Sequence, residues 1–215
     1  MPTAVDNRRW FSWPHEPFRS GKSLFTARAT RARFSIAATK NTNFCCRSRN
    51  RAPDRLFQVV DKLHLAERRN RLAEAGIDVE TAEHKGQLEI RPWDNAYLRG
   101  NRFNQHAMLE LIREVLTEGR SRGFPMTRFW ANMEWALEDL PGVHDIVEYE
   151  TRLNKFLPNY DDVVVCTYDL NKFSAPVVMD IMRTHPQVIV GGVLQNNPFY
   201  VPPDEFLAEL KHRMN

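Results

Sequence analysis

The spacing of apolar positions along the chain changes near residue 55. From there onward, short apolar runs alternate with longer segments in which apolar residues recur every three or four positions. The short runs predict five strands, at 55–61, 87–93, 124–133, 163–169 and 187–192. The amphipathic segments predict five helices, at 62–76, 105–119, 143–157, 175–185 and 202–214. Because helices separate the strands, we expect an α/β three-layer sandwich with a mostly parallel sheet.

Residues at the ends of these segments support their boundaries. Asn104 and Ser174 are suited to cap the helices that follow them. Gly76 is placed to end the first helix, and Pro158 and Pro186 stop the third and fourth. The continuous apolar run "VVVCTYD" is typical of a strand that is buried on both faces.

Residues 1–52 show neither strand-like runs nor helical spacing of apolar residues. We expect them to form a separate basic segment before a domain at 53–215. Residues 1–55 hold 12 of the 30 Lys and Arg residues but 3 of the 27 Asp and Glu residues. An arm that binds nucleic acid is one interpretation. Disorder is favoured, because no apolar stripe could offset the entropy of ordering. The remainder of the chain is mildly acidic, which disfavours nucleic acid as its partner.

The stretch "FRSGKS" at 18–23 resembles part of a phosphate-binding loop. Gly21, Lys22 and Ser23 match the end of that motif, but Glu16 stands where its first glycine belongs. Without that glycine the backbone cannot wrap around a phosphate. We therefore predict no functional nucleotide loop here.

Other classes of protein are disfavoured by simple features. The chain has no run of 18 apolar residues and no apolar signal segment near its start, so we expect a cytoplasmic protein without a membrane span. Cys45, Cys46 and Cys166 are too few for a disulfide framework. The histidines lie on separate elements without metal-ligand spacing, and no Ser-His-Asp or Cys-His arrangement is evident. We therefore predict no metal, no cofactor and no catalytic residues.

Candidate binding residues follow the predicted strands, because ligands of parallel sheets bind beyond the carboxyl ends of the strands. The residues at this edge are Asp61, Trp93, Glu134, Trp135, Tyr168 and Asp169, and the loop from Gly191 onward adds Asn197 and Tyr200. His185, at a helix end, is a further candidate. Glu134 can face a ligand, or it can be a solvated acid beside a core tryptophan. Asp169 can equally cap a turn. His185 fits a structural role at a helix end, where it meets the helix dipole.

The loop that contains Asn197 and Tyr200 is open to two interpretations. It can be a lid over an apolar pocket, or a rigid connector that docks the last helix. On the helix at 143–157, Glu148 and Arg152 form a surface pair of the favoured orientation, and we assign Glu150 a structural role with them.

Several stretches together resemble one family, the MEDS domain, a methanogen and methylotroph sensory domain of the DcmR type. They are "AGIDVETAEHKGQLEIRPWDNAYLRGNRF", "MEWAL", "EYETRLN", "CTYDLNKF" and "RTHPQVIVGGVLQNNPFYVPPDEFL", in order over about 55–210. The resemblance implies a RecA/KaiC-like fold, related to P-loop NTPases, whose nucleotide loop has degenerated. It also implies sensing of small organic molecules, usually in a protein fused to a DNA-binding module or a histidine kinase.

The start of the chain departs from this family, which opens with a strand like "HICAFF" and a segment like "EEYRVLLPFIKEG". Read one base earlier, the codons for "KNTNFCCRS" at 40–48 can encode something like "KEHEFLLPF". We therefore hypothesise that residues before about Arg51 are translated out of frame and that the domain is incomplete at its N-terminus. Resequencing the gene decides this, since an intact single frame removes the idea.

The sequence as a whole predicts a non-catalytic sensory domain that binds a small hydrocarbon derivative between Trp135, Tyr168 and the 191–200 loop. A histidine kinase or DNA-binding regulator would receive the signal in trans, and the domain could form homo-oligomers. Two alternatives remain: a divergent nucleotide-binding NTPase-like protein, or an adaptor that binds no ligand.

Overall fold

A computed structural model of the chain describes residues 33–38, 53–190 and 193–213, the first range by its backbone. The strands are β1 Arg33–Ala38, β2 Arg55–Val60, β3 Leu88–Pro92, β4 Thr127–Asn132, β5 Val163–Asp169, β6 Gln187–Val190 and β7 Val193–Asn196. The helices are α1 Leu65–Glu74, α2 Val79–His84, α3 Gln105–Ser121, α4 Ile146–Phe156, α5 Ala175–Thr184 and α6 Pro203–Arg213. Short 3-10 turns follow β2, β3 and β4, at Lys62–His64, Trp93–Asn95 and Glu134–Leu137.

The seven strands form one sheet in the order β3-β2-β4-β5-β1-β6-β7. The four neighbouring strands β3, β2, β4 and β5 are parallel, as the alternation of strands and helices predicts. Their carboxyl ends therefore meet at one edge of the sheet, where Asp61, Glu134 and Asp169 lie.

Two strands depart from the expected parallel arrangement. β1 lies in the middle of the sheet and runs antiparallel to both β5 and β6, and β7 runs antiparallel to β6. β1 comes from the basic segment that was expected to be irregular, so this segment contributes a strand that its residue pattern does not predict. β7 follows β6 so closely that an antiparallel hairpin is the only pairing its short connection permits.

Side chains of β5 alternate between the two faces of the sheet and so define the layers. Val164, Cys166 and Tyr168 enter the larger core, which includes residues of α3, α4 and α5. Val163 and Val165 enter a smaller core on the opposite face, together with residues of α1 and α2. The three-layer prediction is therefore confirmed for the described part of the chain. α6 packs beside α4 and α5.

The predicted cap at Asn104 is present, since its Oδ1 accepts a hydrogen bond from the Ala107 amide at 3.0 Å. Ser174 precedes α5 but makes no side-chain capping bond. No helix within the described ranges has the length and apolar character needed to cross a membrane. The stretch at 18–23, Cys45 and Cys46 lie outside the described residues.

Candidate functional site

A pocket of about 200 Å³ opens at the carboxyl edge of the parallel strands. We call it the outer pocket. It is lined by Val60, Asp61, His64, Glu67, Arg68, Arg71, Trp93, Trp130, Asn132, Glu134, Asp169 and Lys172. These residues come from the ends of β2, β4 and β5, from α1, and from the turns that follow β2, β3, β4 and β5. The pocket therefore lies where the sheet topology places the ligand sites of α/β proteins.

Local backbone turns orient the acidic side chains of the outer pocket. The Glu134 amide donates a hydrogen bond to Asn132 Oδ1 at 3.0 Å, and the Glu134 carboxylate pairs with Lys172. Asp169 Oδ1 accepts hydrogen bonds from the backbone and side-chain nitrogens of Asn171, both at 3.0 Å. The turn-capping role considered for Asp169 is therefore present, and the same residue also lines the pocket.

Glu67, Arg68 and Arg71 of α1 also line the outer pocket, beside Trp130 of β4. The guanidinium of Arg68 lies 4.3 Å from the centre of the Trp130 ring, and its Nε donates to Gln58 Oε1 at 2.5 Å. Arg71, one turn further along α1, pairs with Glu67. Lys172, which follows β5, also lines the pocket and forms an ion pair with Glu134.

Beneath this edge, four polar side chains meet inside the larger core. We call Glu150, Cys166, Tyr168 and His185 the core cluster. Tyr168 Oη donates to Glu150 Oε1 at 2.5 Å, and the second carboxylate oxygen lies 3.2 Å from His185 Nε2 and 3.8 Å from Cys166 Sγ. All four residues are at most 1% exposed. Burial, reinforced by the nearby Glu150 carboxylate, raises the pKa of the Cys166 thiol and of the Tyr168 hydroxyl.

Four aromatic residues pack against one another in the same core as Cys166 and Tyr168. Tyr97 and Phe103 each lie 4.5 Å from the Trp135 ring, and Tyr149 meets Phe103 edge-on at 5.3 Å. We call these four residues the aromatic group. Burial raises the pKa of both Tyr97 and Tyr149. The Tyr97 and Tyr149 hydroxyls interact with each other, whereas the Trp135 indole nitrogen is buried without a hydrogen-bond partner in the described part of the chain.

Three members of the core cluster have the geometry of metal ligands. One ligand atom from each of Glu150, Cys166 and His185 lies within 4.8 Å of the other two. Carboxylate, thiolate and imidazole together suit a zinc-type ion. His185 Nδ1 lies 3.2 Å from the Ile181 carbonyl oxygen, which orients Nε2 toward the cluster. Because burial keeps Cys166 protonated, metal binding there would release its proton.

The structure divides the residues predicted for the site into three groups. Trp93, Glu134 and Asp169 line the outer pocket. Trp135, Tyr168 and His185 lie in the core, in the aromatic group and the core cluster, and are at most 1% exposed. Asn197 and Tyr200 lie in the loop before α6. The proposed ligand position between Trp135, Tyr168 and the 191–200 loop thus rests on two fully buried residues, whereas the open pocket lies on the strand-end side.

Asn197 favours the connector interpretation of its loop. Its Nδ2 donates to the carbonyl oxygens of Met182 and His185, at 2.5 and 2.8 Å, and its Oδ1 accepts from the Phe199 amide. These bonds fasten the loop to the C-terminal end of α5. Tyr200 is partly buried nearby, and Gly191 and Gly192 lie outside the described residues.

Sequence reasoning gave Glu150 a structural role but missed its burial and its buried partners. The Glu148–Arg152 pair forms on the surface as predicted, with Arg152 Nε 2.9 Å from Glu148 Oε1, but Glu150 is 0% exposed and belongs to the core cluster. Its spacing carried a signal, since Glu150 lies four residues after the buried Ile146 and so on the same helix face. His185 was expected to be isolated from other ligand-type residues. As expected, His185 lies at the C-terminal end of α5, where its Nδ1 is 3.2 Å from the Ile181 carbonyl oxygen. Its Nε2 also lies 3.2 Å from Glu150 Oε2.

The family model that this chain matches describes a class of sensory domains. Residues 40–186 match the model of the MEDS family, the MEthanogen/methylotroph, DcmR Sensory domain. The chain therefore belongs to the MEDS family, as its motifs indicated.

The chain is also similar to the transcriptional repressor DcmR of Methylorubrum extorquens (strain DSM 6343 / CIP 106787 / DM4). The two are 28% identical over 83 residues, which is 38% of this chain and 31% of that protein. The match thus spans less than a third of the relative's length. The family model identifies this chain as a sensory domain.

Proposed function

We propose that the domain senses a small hydrocarbon derivative that binds in the outer pocket. The observation that carries this proposal is the convergence of Asp61, Glu134 and Asp169, from three strand ends, on one open pocket of about 200 Å³. Pockets at this position in parallel sheets bind small molecules, with few polar groups that fix orientation. A polar derivative such as an alcohol fits this lining better than a pure hydrocarbon.

Two strand ends provide a route from the pocket to the core. Glu134 lines the pocket while the next residue, Trp135, belongs to the aromatic group. Asp169 lines the pocket while the preceding residue, Tyr168, bonds Glu150. A ligand that moves either strand end by a fraction of an ångström must therefore also disturb side chains packed in the core. A ligand with different affinity for the two packings would shift their populations.

The signal would pass to a regulatory partner in trans, either a DNA-binding regulator or a histidine kinase, in the cytoplasm. The similarity to a transcriptional repressor supports an output on transcription. A homo-oligomer would provide the interface whose geometry changes with ligand. Nucleotide sensing, the alternative considered from sequence, predicts tight nucleotide binding with hydrolysis.

The test is a binding screen with a matched pair of variants. Thermal-shift and calorimetric titrations of the full chain would use small alcohols, halocarbons, carboxylates, amines and nucleotides. Glu134→Gln removes a pocket carboxylate, whereas Glu138→Gln changes an exposed carboxylate outside the pocket lining. We expect Glu134→Gln to weaken the ligand found by about tenfold, as for one charge-assisted hydrogen bond. Equal affinities for both variants and the parent would refute the outer pocket as the site.

A second candidate is a metal-dependent form of the same role, favoured by the Glu150, Cys166 and His185 ligand set. An ion there would contact β5, α4 and the residue after α5, so its presence would stiffen the larger core. Metal content after purification would be measured for the parent, for Cys166→Ala, and for Val164→Ala, which truncates another buried β5 residue of the same core. This candidate is supported if the parent and Val164→Ala carry one metal ion per chain and Cys166→Ala carries none. A metal-free parent that takes up no zinc or cobalt removes it.

A further inference from the structure

A second pocket, of about 280 Å³, opens at the start of α3 and shares no lining residue with the outer pocket. We call it the second pocket, and its lining residues are Ala96, Tyr97, Arg99, Arg102, Asn104 and Ala107. Four of them belong to the stretch "AYLRGNRF", a part of the family resemblance that the outer pocket does not involve. We infer that this pocket binds a small anion of the phosphate type, independently of the function proposed for the outer pocket.

Both charged side chains that line the second pocket are basic. Arg99 Nε donates to the Asn95 carbonyl oxygen at 3.0 Å, which fixes one side of the guanidinium and leaves its terminal nitrogens without a partner in the described ranges. For Arg102, no hydrogen bond or ion pair forms with any residue of those ranges. Arg69 and Arg71 of α1, by contrast, each pair with a glutamate. Two guanidinium groups that share a pocket without a carboxylate repel each other and attract an anion.

The first turn of α3 adds to the positive potential of the second pocket. It contains no acidic residue, although an acidic side chain is most favourable at this position in a helix. Asn104 accepts a hydrogen bond from the Ala107 amide, so the amides of Gln105 and His106 have no partner within the helix. Asn104 and Ala107 line the pocket, so this turn forms part of its wall. The helix end and the two arginines therefore favour the same sign of ligand charge.

The donors and the size of the second pocket favour a phosphate over a carboxylate. An arginine fork binds two oxygens at once, so two forks match an ion with at least three oxygens and two negative charges. A volume of about 280 Å³ equals that of roughly nine water molecules in the liquid, at about 30 Å³ each. A phosphate ion is smaller than this, which leaves room for a small ester group. The ligand class is therefore inorganic phosphate or the phosphate monoester of a small alcohol.

The test is a calorimetric titration of the full chain with phosphate, ethyl phosphate and acetate at constant ionic strength and about pH 7.5, where both phosphates carry close to two charges. We expect both phosphates to bind with dissociation constants of about 1 mM or lower, at least tenfold more tightly than acetate. Tighter binding of ethyl phosphate would identify a monoester as the source of the phosphate group, and the reverse order would identify the free ion. Acetate that binds as tightly as phosphate would overturn the inference.

Two variants locate the bound phosphate. Arg102→Gln and Arg99→Gln each remove one guanidinium group from the second pocket and should weaken phosphate binding at least tenfold. Arg69→Gln removes the same charge from α1, outside both pocket linings, and should leave the affinity unchanged. Arg71→Gln is the second control, because Arg71 lines the outer pocket. If Arg71→Gln weakens phosphate binding and Arg102→Gln does not, the anion binds in the outer pocket and the inference is wrong.

Ala107→Glu provides a test that does not depend on a loss of folding. Ala107 is exposed, lines the second pocket and is the third residue of α3. A glutamate there would place a carboxylate beside the arginines and at a favourable position near the helix N-terminus. We expect this variant to bind phosphate at least tenfold more weakly, with a melting temperature equal to or above that of the parent. Ala107→Gln has the same size without the charge and should weaken binding less. Unchanged phosphate affinity in Ala107→Glu would overturn the inference.

The outcome for the second pocket is separate from that for the outer pocket. If neither phosphate binds below about 10 mM, the inference fails, and the Glu134→Gln comparison still decides the proposed function.

Discussion

Replacing Tyr168 by phenylalanine tests the polar core cluster most directly. The change removes one hydroxyl, which donates to Glu150 Oε1 at 2.5 Å, and both residues are at most 1% exposed. In the variant, the Glu150 carboxylate has two remaining polar neighbours: His185 Nε2 at 3.2 Å and Cys166 Sγ, a weak donor, at 3.8 Å. A hydrogen bond to a charged group contributes about 1.5–3 kcal/mol, and no water can replace it at this depth. We expect Tyr168→Phe to lower the free energy of unfolding by about 2 kcal/mol.

Tyr149→Phe is the matched control. The Tyr149 hydroxyl is equally buried but interacts with the neutral Tyr97 hydroxyl instead of a carboxylate, so its removal should cost about 1 kcal/mol or less. Urea denaturation followed by circular dichroism gives both values from the transition midpoints, provided that the slope is unchanged. For a chain of 215 residues, 2 kcal/mol corresponds to about 4–8 °C in melting temperature. Equal losses in the two variants would refute the view that the hydroxyl of Tyr168 stabilises a buried Glu150 carboxylate.

The remaining predictions concern a turn and the attachment of α6. Gly142 has φ +84° and a Cβ added there would lie 2.3 Å from the Phe103 carbonyl oxygen, whereas Gly123 has φ +83° and no atom within 4 Å. Gly142→Ala should therefore cost well over 2 kcal/mol and Gly123→Ala about 1–2 kcal/mol in urea denaturation, and similar losses would contradict the contact. Hydrogen bonds from Arg183 and then Arg213 lower the pKa of Glu209 from 4.5 to about 2. Because the folded-state pKa lies below the unfolded value, its stabilising effect is present above about pH 4.5 and lost as the pH falls toward 2. Melting temperatures between pH 2 and 6 should fall less steeply for Glu209→Gln than for the parent, while Glu205→Gln, an exposed acid of the same helix, retains the parent's slope. Parallel profiles for all three proteins would show that the pairing does not contribute.

Local patterns determined the layers and the edge on which the pocket lies. Helical and strand periods repeat over a few residues, so they place Val164, Cys166 and Tyr168 on one face of β5 without knowledge of its neighbours. They also place Glu134 and Asp169 just where their strands end. The two-residue alternation of β5 explains why Tyr168 is a core residue although it adjoins Asp169, whereas Trp135 lies in the 3-10 turn after β4, which strand alternation does not describe.

The tertiary structure decided what those faces meet. The core cluster joins Glu150 to Cys166 and Tyr168, 16 and 18 residues away, and to His185 at the end of α5. These contacts exist because α4 crosses the larger core above β5, and no spacing within one element encodes that crossing. β1 illustrates the same limit: its six residues pair antiparallel with β5 and β6, and their own sequence specifies neither the partners nor the direction. Periodicity depends on the geometry of one element, whereas pairing depends on which distant surfaces the whole chain leaves to be covered.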